Sequence, residues 1–330
     1  MSLKKLGEGG RLTLEEGYSL ALSILRGELS DVEIAAALTA LRVRGEAPEE
    51  VAGFAKAARE TCVKVPAEVE AIDTAGTGGD GQNTINLSTA AALVASAAGA
   101  YVIKHGNRSV TSASGSADFL EALGYNISLT PEQALKALRE SRFAFLFAPA
   151  FHPTFARVAP IRKKLPFRTI FNIIGPLANP AHVSRQVMGV AEERLLDVVA
   201  SAGRLMGFKH LVVVHGSPGV DEVSIEGPTA VVEVRGGSIE RYSVAPEDLG
   251  ARRGKIPRAS TKEESVAKTL AGLSGRDREA LDAIAVNAAF ALYVAGLAKT
   301  PHDGYELARQ VIESGEAARH IERVVKASRA

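Results

Sequence analysis

The sequence predicts an α/β protein: a small N-terminal helical domain, then a larger domain whose mostly parallel central sheet is flanked by helices. Three observations carry this expectation. Residues 1 to about 65 hold helical periodicity and no strand signal. From Val69 onward, short apolar runs alternate with helical patterns, as in a sheet covered by helices. Those runs lack polar alternation, so both faces of each strand are expected to be buried. The domains are placed at 1–66 and 67–330, with a helical segment around 153–180 rejoining the first.

Within the first domain, Leu14, Tyr18, Ala21, Leu22 and Leu25 follow a helical spacing. Ser30-Asp31-Val32-Glu33 has the capping-box pattern and opens a helix through Leu38 and Leu41 that stops near Gly45. Pro48-Glu49-Glu50 suits the first turn of another, because proline lacks only an amide hydrogen that would be unpaired there. In the second domain, strands are expected at Val69–Asp73, Tyr101–Lys104, Phe143–Phe147 and Leu211–His215, with helices at about 88–98, 115–123, 131–140 and 192–206. Val220–Ile225, Thr229–Val234 and Ser238–Val244 read as antiparallel strands, and residues from about 262 to 328 as four helices.

Composition narrows the function. With 46% hydrophobic and 23% charged residues the chain matches a soluble globular protein. A net charge of +1 supplies no basic field for nucleic acid, so an anion site must be local. A single cysteine, Cys62, excludes an intramolecular disulfide. The lysines of Met1–Gly7 precede no apolar run, and Ala90–Ala98 falls short of the ~20 residues of a membrane span. The expectation is a cytoplasmic protein with no membrane or nucleic-acid partner.

Several segments carry chemistry. Asp73-Thr74-Ala75-Gly76-Thr77-Gly78-Gly79-Asp80-Gly81 has four glycines in its last six positions, which lets backbone amides approach phosphate closely. A plain strand-to-helix turn would use the same residues. Asp80 would repel a phosphate unless a metal or hydroxyl lay between them. Asn83-Thr84-Ile85-Asn86-Leu87-Ser88-Thr89 runs into an alanine-rich helix, and its polar residues exceed what capping needs. Lys104-His105-Gly106-Asn107-Arg108-Ser109-Val110-Thr111-Ser112 follows a strand, where α/β sheets present ligand sites. Lys104 and Arg108 suit phosphate. Ser116, at the next helix start, reaches the same anion or merely caps. Asp221-Glu222 offers hard oxygen ligands for Mg²⁺ after a glycine-rich loop, although adjacent carboxylates are also common on surfaces. Arg162 is a candidate carboxylate partner.

At these segments the chain resembles the anthranilate phosphoribosyltransferase family. The motifs are Gly76–Asp80, Asn86–Thr89, Lys104–Arg108, Ser114–Asp118, Arg168-Thr169-Ile170-Phe171-Asn172-Ile173-Ile174-Gly175-Pro176-Leu177-Ala178-Asn179-Pro180 and Asp221-Glu222, in the family's order and spacing along essentially the whole chain. The resemblance implies a nucleoside phosphorylase/phosphoribosyltransferase-like architecture and a homodimer formed through the helical domain. It implies transfer of phosphoribosyl from phosphoribosyl pyrophosphate to the amine of anthranilate in tryptophan biosynthesis. It places the donor on Gly76, Gly79, Asp80, Thr84, Asn86, Leu87, Ser88, Thr89, Lys104, His105, Gly106, Asn107, Arg108, Ser109, Val110, Thr111, Ser112 and Ser116. By the same likeness Mg²⁺ falls to Ser88, Asp221 and Glu222, and anthranilate to Gly76, Asn107 and Arg162. No general base is assigned, and His105 reads as structural or orienting, with a catalytic role the alternative. The chain departs from the family pattern at Thr111 for serine, at Thr154-Phe155 for Ala-Met after His152-Pro153, and at Pro166 for glycine. The last two touch the acceptor side and the hinge region, not the donor site.

Overall fold

A computed structural model describes residues 2–109 and 113–330. Val110, Thr111 and Ser112, expected in the donor loop, lie outside the described residues. The chain opens with four helices, α1 Ser2–Gly7, α2 Leu14–Arg26, α3 Asp31–Arg44 and α4 Pro48–Glu60. The capping box read at Ser30 and Glu33 is formed, and Thr13 with Glu16 makes another at the start of α2.

Seven strands follow, β1 Ile72–Gly76, β2 Val102–Gly106, β3 Phe143–Phe147, β4 Arg185–Gly189, β5 His210–Gly216, β6 Thr229–Arg235 and β7 Ser238–Val244. They form one sheet in the order β3-β2-β1-β4-β5-β6-β7. The first five are parallel, and β6 and β7 join antiparallel at one edge. The remaining helices are α5 Leu87–Ala97, α6 Ser116–Ala122, α7 Pro131–Ser141, α8 Ala148–Phe151, α9 Ala159–Lys164, α10 Ile170–Leu177, α11 Leu195–Leu205, α12 Lys262–Leu273, α13 Arg278–Ala295, α14 Pro301–Glu313 and α15 Glu316–Ala327. No helix among the described residues is long and apolar enough to cross a membrane.

The sheet is covered on both faces. Val212 and Val214 of β5 share a core with α5 and α13, whereas Leu211 and Val213 face the opposite way. That second core is continuous with Leu25, Leu38, Leu41 and Phe54 of the helical bundle, by way of α10 and α11. The bundle is therefore seated on the sheet's flank rather than tethered beside it.

Three elements depart from expectation. The strand read at Val69–Asp73 starts at Ile72 and runs to Gly76, so the glycine loop begins at the strand's last residue. Strand β4 had no apolar run to announce it. Its Gln186 is fully buried and bonds the Pro176 carbonyl, while Arg185 pairs with Glu70 at 2.9 Å. Val220–Ile225 is not a strand. Val220 makes only an isolated bridge with Gly216, and the middle of the segment bonds side chains: Asn287 takes both polar groups of Val223, and Thr229 Oγ1 accepts from the Ser224 amide at 3.0 Å. Apolar patterning cannot register that choice of partners.

Strands β1, β2 and β3 step in one direction, and β4 then returns to the other side of β1. The crevice beyond the C-terminal ends of β1 and β4 is the topological switch point, where open α/β sheets bind ligands.

Candidate active site

Both strands at the switch point end in glycine, and Gly76 and Gly189 are partners in register. A Cβ on Gly76 would overlap the Asp221 carboxylate, and one on Gly189 would overlap the Asp221 carbonyl. Only glycine lets the loop after β5 lie directly across these strand ends. Asp221 Oδ2 accepts from the Gly78 amide at 2.6 Å. The Asp221 amide points to Asp80 Oδ2 at 3.4 Å. Asn287 on α13 fixes the loop from behind: its Oδ1 accepts from the Val223 amide at 2.9 Å, and its Nδ2 donates to the Val223 carbonyl at 2.9 Å.

A buried cation sits beneath. Lys104 is 1% exposed, and its Nζ donates to the Thr74 carbonyl and, at 3.2 Å, to Ser88 Oγ. Burial pushes its ammonium below the ordinary value, opposed by the carboxylates of Asp73 and Glu222. Asp73 is fully buried and held by Asn179 Nδ2 at 2.8 Å; burial pushes its carboxyl up to about 6, and Lys104 pulls the other way. Asp221 and Glu222 are both held above the usual carboxylate range. Burial is the main cause, and Asp80 beside Asp221, and Asp221 beside Glu222, add like charge.

The other described residues of the expected donor set lie on β1, β2, α5 and α6 and in the loops after β1 and β2. Ser88 and Thr89 lie in the first turn of α5. The Ser88 amide faces the Glu222 carboxylate, and the Ser88 carbonyl accepts from Thr74 Oγ1 at 2.9 Å. Leu87 is core. Asn86 is turned to structural work: its Nδ2 donates to the Ser114 carbonyl at 3.1 Å, and its Oδ1 accepts from Ser265 Oγ at 3.0 Å. Thr84 forms an isolated bridge with Arg258. Asn107 and Arg108 are exposed. The Arg108 guanidinium, expected on phosphate, is engaged by Asp118 at 3.1 Å and by Glu121 on α6. Asp118 also accepts from the Ser109 amide at 3.0 Å. Gly106 faces Ser116, where a Cβ would stand 3.0 Å from Ser116 Oγ.

The acceptor-side residues lie where the bundle meets the sheet. A chain of rings runs from Phe54 through Phe171 and Phe155 to His152 and His105, with centroids 6.0, 5.5, 4.7 and 5.0 Å apart. Phe155, one of the departures from the family pattern, thus stacks on His152. Among the described residues His105 Nε2 and His152 Nδ1 are buried without a hydrogen-bond partner. Burial lowers His105 well below its ordinary value, with His152 adding to the effect, and lowers His152 to about 4. Both rings are neutral at pH 7. Arg162 lies over the Phe171 ring at 5.7 Å. Burial and the neighbouring Arg168 lower its guanidinium, as expected for a cation short of negative charge.

Comparison with known proteins places this fold in a family. Residues 2–62 match the helical bundle domain of the glycosyl transferase family, and residues 68–318 match its a/b domain. An anthranilate phosphoribosyltransferase from Pyrobaculum arsenaticum is 65% identical, covering 99% of this chain and 98% of that one. The crystal structure of anthranilate phosphoribosyltransferase from Thermus thermophilus superposes with a TM-score of 0.94 at 41% identity, covering 100% of this chain and 99% of that chain. The chain belongs to the anthranilate phosphoribosyltransferase family. A more distant member from Saccharomyces cerevisiae, 30% identical with a TM-score of 0.84 and coverage of 96% and 92%, is solved in complex with PRPP and Mg.

Sequence reasoning missed Asn287, the roles of Asp73 and Asn179 as buried partners, and the loop contacts of Arg168. Asn287 and Asp73 did carry a signal, each being a polar residue inside an apolar stretch. The buried Lys104–Asp73 pair generates a prediction. Lys104→Met strands two carboxylates without their cation and is expected to cost about 3–5 kcal/mol of folding free energy. Adding Asp73→Asn should return part of that loss. Urea unfolding of the two single variants and the double variant measures the coupling; strictly additive losses would show that the pair does not interact.

Proposed function

We propose that this chain transfers the phosphoribosyl group of phosphoribosyl pyrophosphate to the amine of anthranilate and releases pyrophosphate, as a step of tryptophan biosynthesis in the cytoplasm. The observation that carries the reading is the meeting, at the switch point, of a glycine loop, a buried lysine and two carboxylates short of positive charge. The donor is assigned to Gly76, Gly79, Asp80, Thr84, Asn86–Thr89, Lys104–Ser109 and Ser116, together with Val110, Thr111 and Ser112. Anthranilate is assigned to Gly76, Asn107 and Arg162, with its ring against the aromatic chain.

Mg²⁺ fits the residues present. Asp221 and Glu222 are held up by burial and by like charge, and a hard cation relieves both. No group of three His, Cys, Asp or Glu is arranged for a metal among the described residues. Two carboxylates plus substrate phosphate oxygens and water are the usual Mg²⁺ arrangement. We assign the ion to Ser88, Asp221 and Glu222. When bound it would neutralise charge on the departing pyrophosphate.

The chain's own groups account for the rest. The C1–oxygen bond to pyrophosphate breaks, the C1–nitrogen bond forms, and the amine proton leaves to solvent. Loop amides, the N-terminus of α5 and the charge of Lys104 face the leaving group as its negative charge grows. An aryl amine is neutral at pH 7, so no strong base is required. Arg162 and the ring chain hold the acceptor in place, and positioning supplies the remaining rate. The neutral imidazole of His105 orients rather than abstracts.

Dimerisation through the bundle belongs to the same reading. Val32 and Val43 on α3 are 79% and 82% exposed. They stand about three turns apart and so share one helix face.

Three experiments follow. Anthranilate fluorescence should fall only when protein, phosphoribosyl pyrophosphate and Mg²⁺ are all present, and EDTA should stop it. Asp221→Asn should lower turnover at limiting Mg²⁺ and shift the Mg²⁺ titration to higher concentration by about tenfold, the scale of one lost charged ligand. An unchanged titration would remove Asp221 from the metal site. Sedimentation should report a dimer, and a monomer for Val32→Glu/Val43→Glu; an unchanged dimer in that variant would move the interface elsewhere.

A further inference from the structure

We infer that Arg168 is a positioning residue of the donor site, turning the carbonyls of the glycine loop away from the phosphates and tying that loop to the acceptor-side segment. The inference rests on the function proposed above and deepens it.

Arg168 lies in the link between α9 and α10, six residues after Arg162. Its guanidinium is a two-pronged clamp on consecutive loop carbonyls. One nitrogen donates to the Thr77 carbonyl at 2.7 Å and the other to the Gly78 carbonyl. It lies so close that a Cβ on Gly79 would overlap it. The opposite edge of the same loop is held by the α/β domain. The Gly78 amide donates to Asp221 Oδ2 at 2.6 Å, and the Thr77 amide donates to the Gly189 carbonyl at 3.0 Å. Gly78 is therefore fixed at both polar groups, by a carboxylate on one side and a guanidinium on the other.

A phosphate loop works only if its carbonyl oxygens point elsewhere, because a carbonyl facing a phosphate oxygen is repelled. Arg168 supplies that elsewhere, and a planar fork suits two adjacent carbonyls as a point charge does not. The surroundings agree. Asp221, Glu192 and Asp80 face the Arg168 side chain as negative groups, and Arg42 and Arg162 as positive ones. The nearby seam between α3, α10 and the loop after β4 is polar. Arg42 pairs with Glu192 at 3.2 Å and Arg194 with Glu46 at 3.4 Å, while Glu46 Oε1 and Thr169 Oγ1 are buried without partners among the described residues. A carboxylate bound at Arg162 would relieve the repulsion between the two guanidiniums. Acceptor binding would then favour the clamped loop and tighten the donor.

The test uses the full chain and three variants, Arg168→Gln, Arg168→Lys and Arg162→Gln. Arg168→Gln should raise the KM for phosphoribosyl pyrophosphate by about tenfold, the size of one lost charge-assisted hydrogen bond. The KM for anthranilate should move by less than about twofold on the same scale. Arg168→Lys should restore part of the donor KM, because it keeps the charge and loses the fork. Arg162→Gln should show the reverse split. A merely structural Arg168 would lower the melting temperature and kcat, leave the donor KM unchanged and show no rescue by lysine, and that result would overturn the inference. Calorimetry of phosphoribosyl pyrophosphate with Mg²⁺ on wild type and Arg168→Gln reads the donor step without any acceptor. A wild type that binds the donor but does not consume anthranilate would sink the proposed reaction. Equal donor affinity in the two proteins would sink the clamp.

Discussion

The loop carrying Asp221 and Glu222 has to lie flat across the ends of β1 and β4, and the site depends on that one contact. It is possible because both strands finish in glycine, side by side in register, with the Asp221 carboxylate and carbonyl in the space where Cβ atoms would stand. From this seat Asp221 holds the Gly78 amide, Asp80 meets the Asp221 backbone, and Glu222 comes into the field of Lys104. Asn287 closes the arrangement from α13 by taking both polar groups of Val223. The metal-type carboxylates and the phosphate-type loop are thus one mechanical unit, not two sites that happen to be close.

Charge is distributed locally, as a net balance of +1 requires. Asp73, Lys104 and Glu222 form a ladder from the sheet interior to the crevice, and the top of that ladder is short of positive charge. On the other wall Arg162 is short of negative charge. In the proposed reaction, a donor that brings a metal and an acceptor that brings a carboxylate would supply what each wall lacks. Electrostatics of this kind, fixed before ligand arrives, needs little reorganisation during reaction.

Much of this was legible in the sequence, for physical reasons that differ by element. The capping box at Ser30 and the apolar runs of β3 and β5 are local signals, and local signals survive without tertiary context. Strand β4 was invisible because its buried Gln186 donates its Nε2 to a carbonyl on α10, a partner that sequence does not display. Val220–Ile225 looked like a strand because burial gives it the same apolar pattern, while the bonds of Val223 and Ser224 go to the side chains of Asn287 and Thr229. Within the site, glycine spacing and the Lys104–Ser109 run were readable as anion chemistry. The present engagement of Arg108 with Asp118 and Glu121, and of Asn86 with Ser114 and Ser265, was not, because each depends on helices distant in sequence or on a competing acid.

The central claim is that donor pyrophosphate and its cation share the crevice over β1 and β4. The most direct measurement is the position of Mn²⁺, substituted for Mg²⁺, in a crystal of the protein with phosphoribosyl pyrophosphate, located by anomalous scattering. The account predicts the ion beside the carboxylates of Asp221 and Glu222, with pyrophosphate oxygens on it and over the glycine loop. An ion and pyrophosphate found together elsewhere, for instance between Arg162 and the aromatic chain, would contradict it.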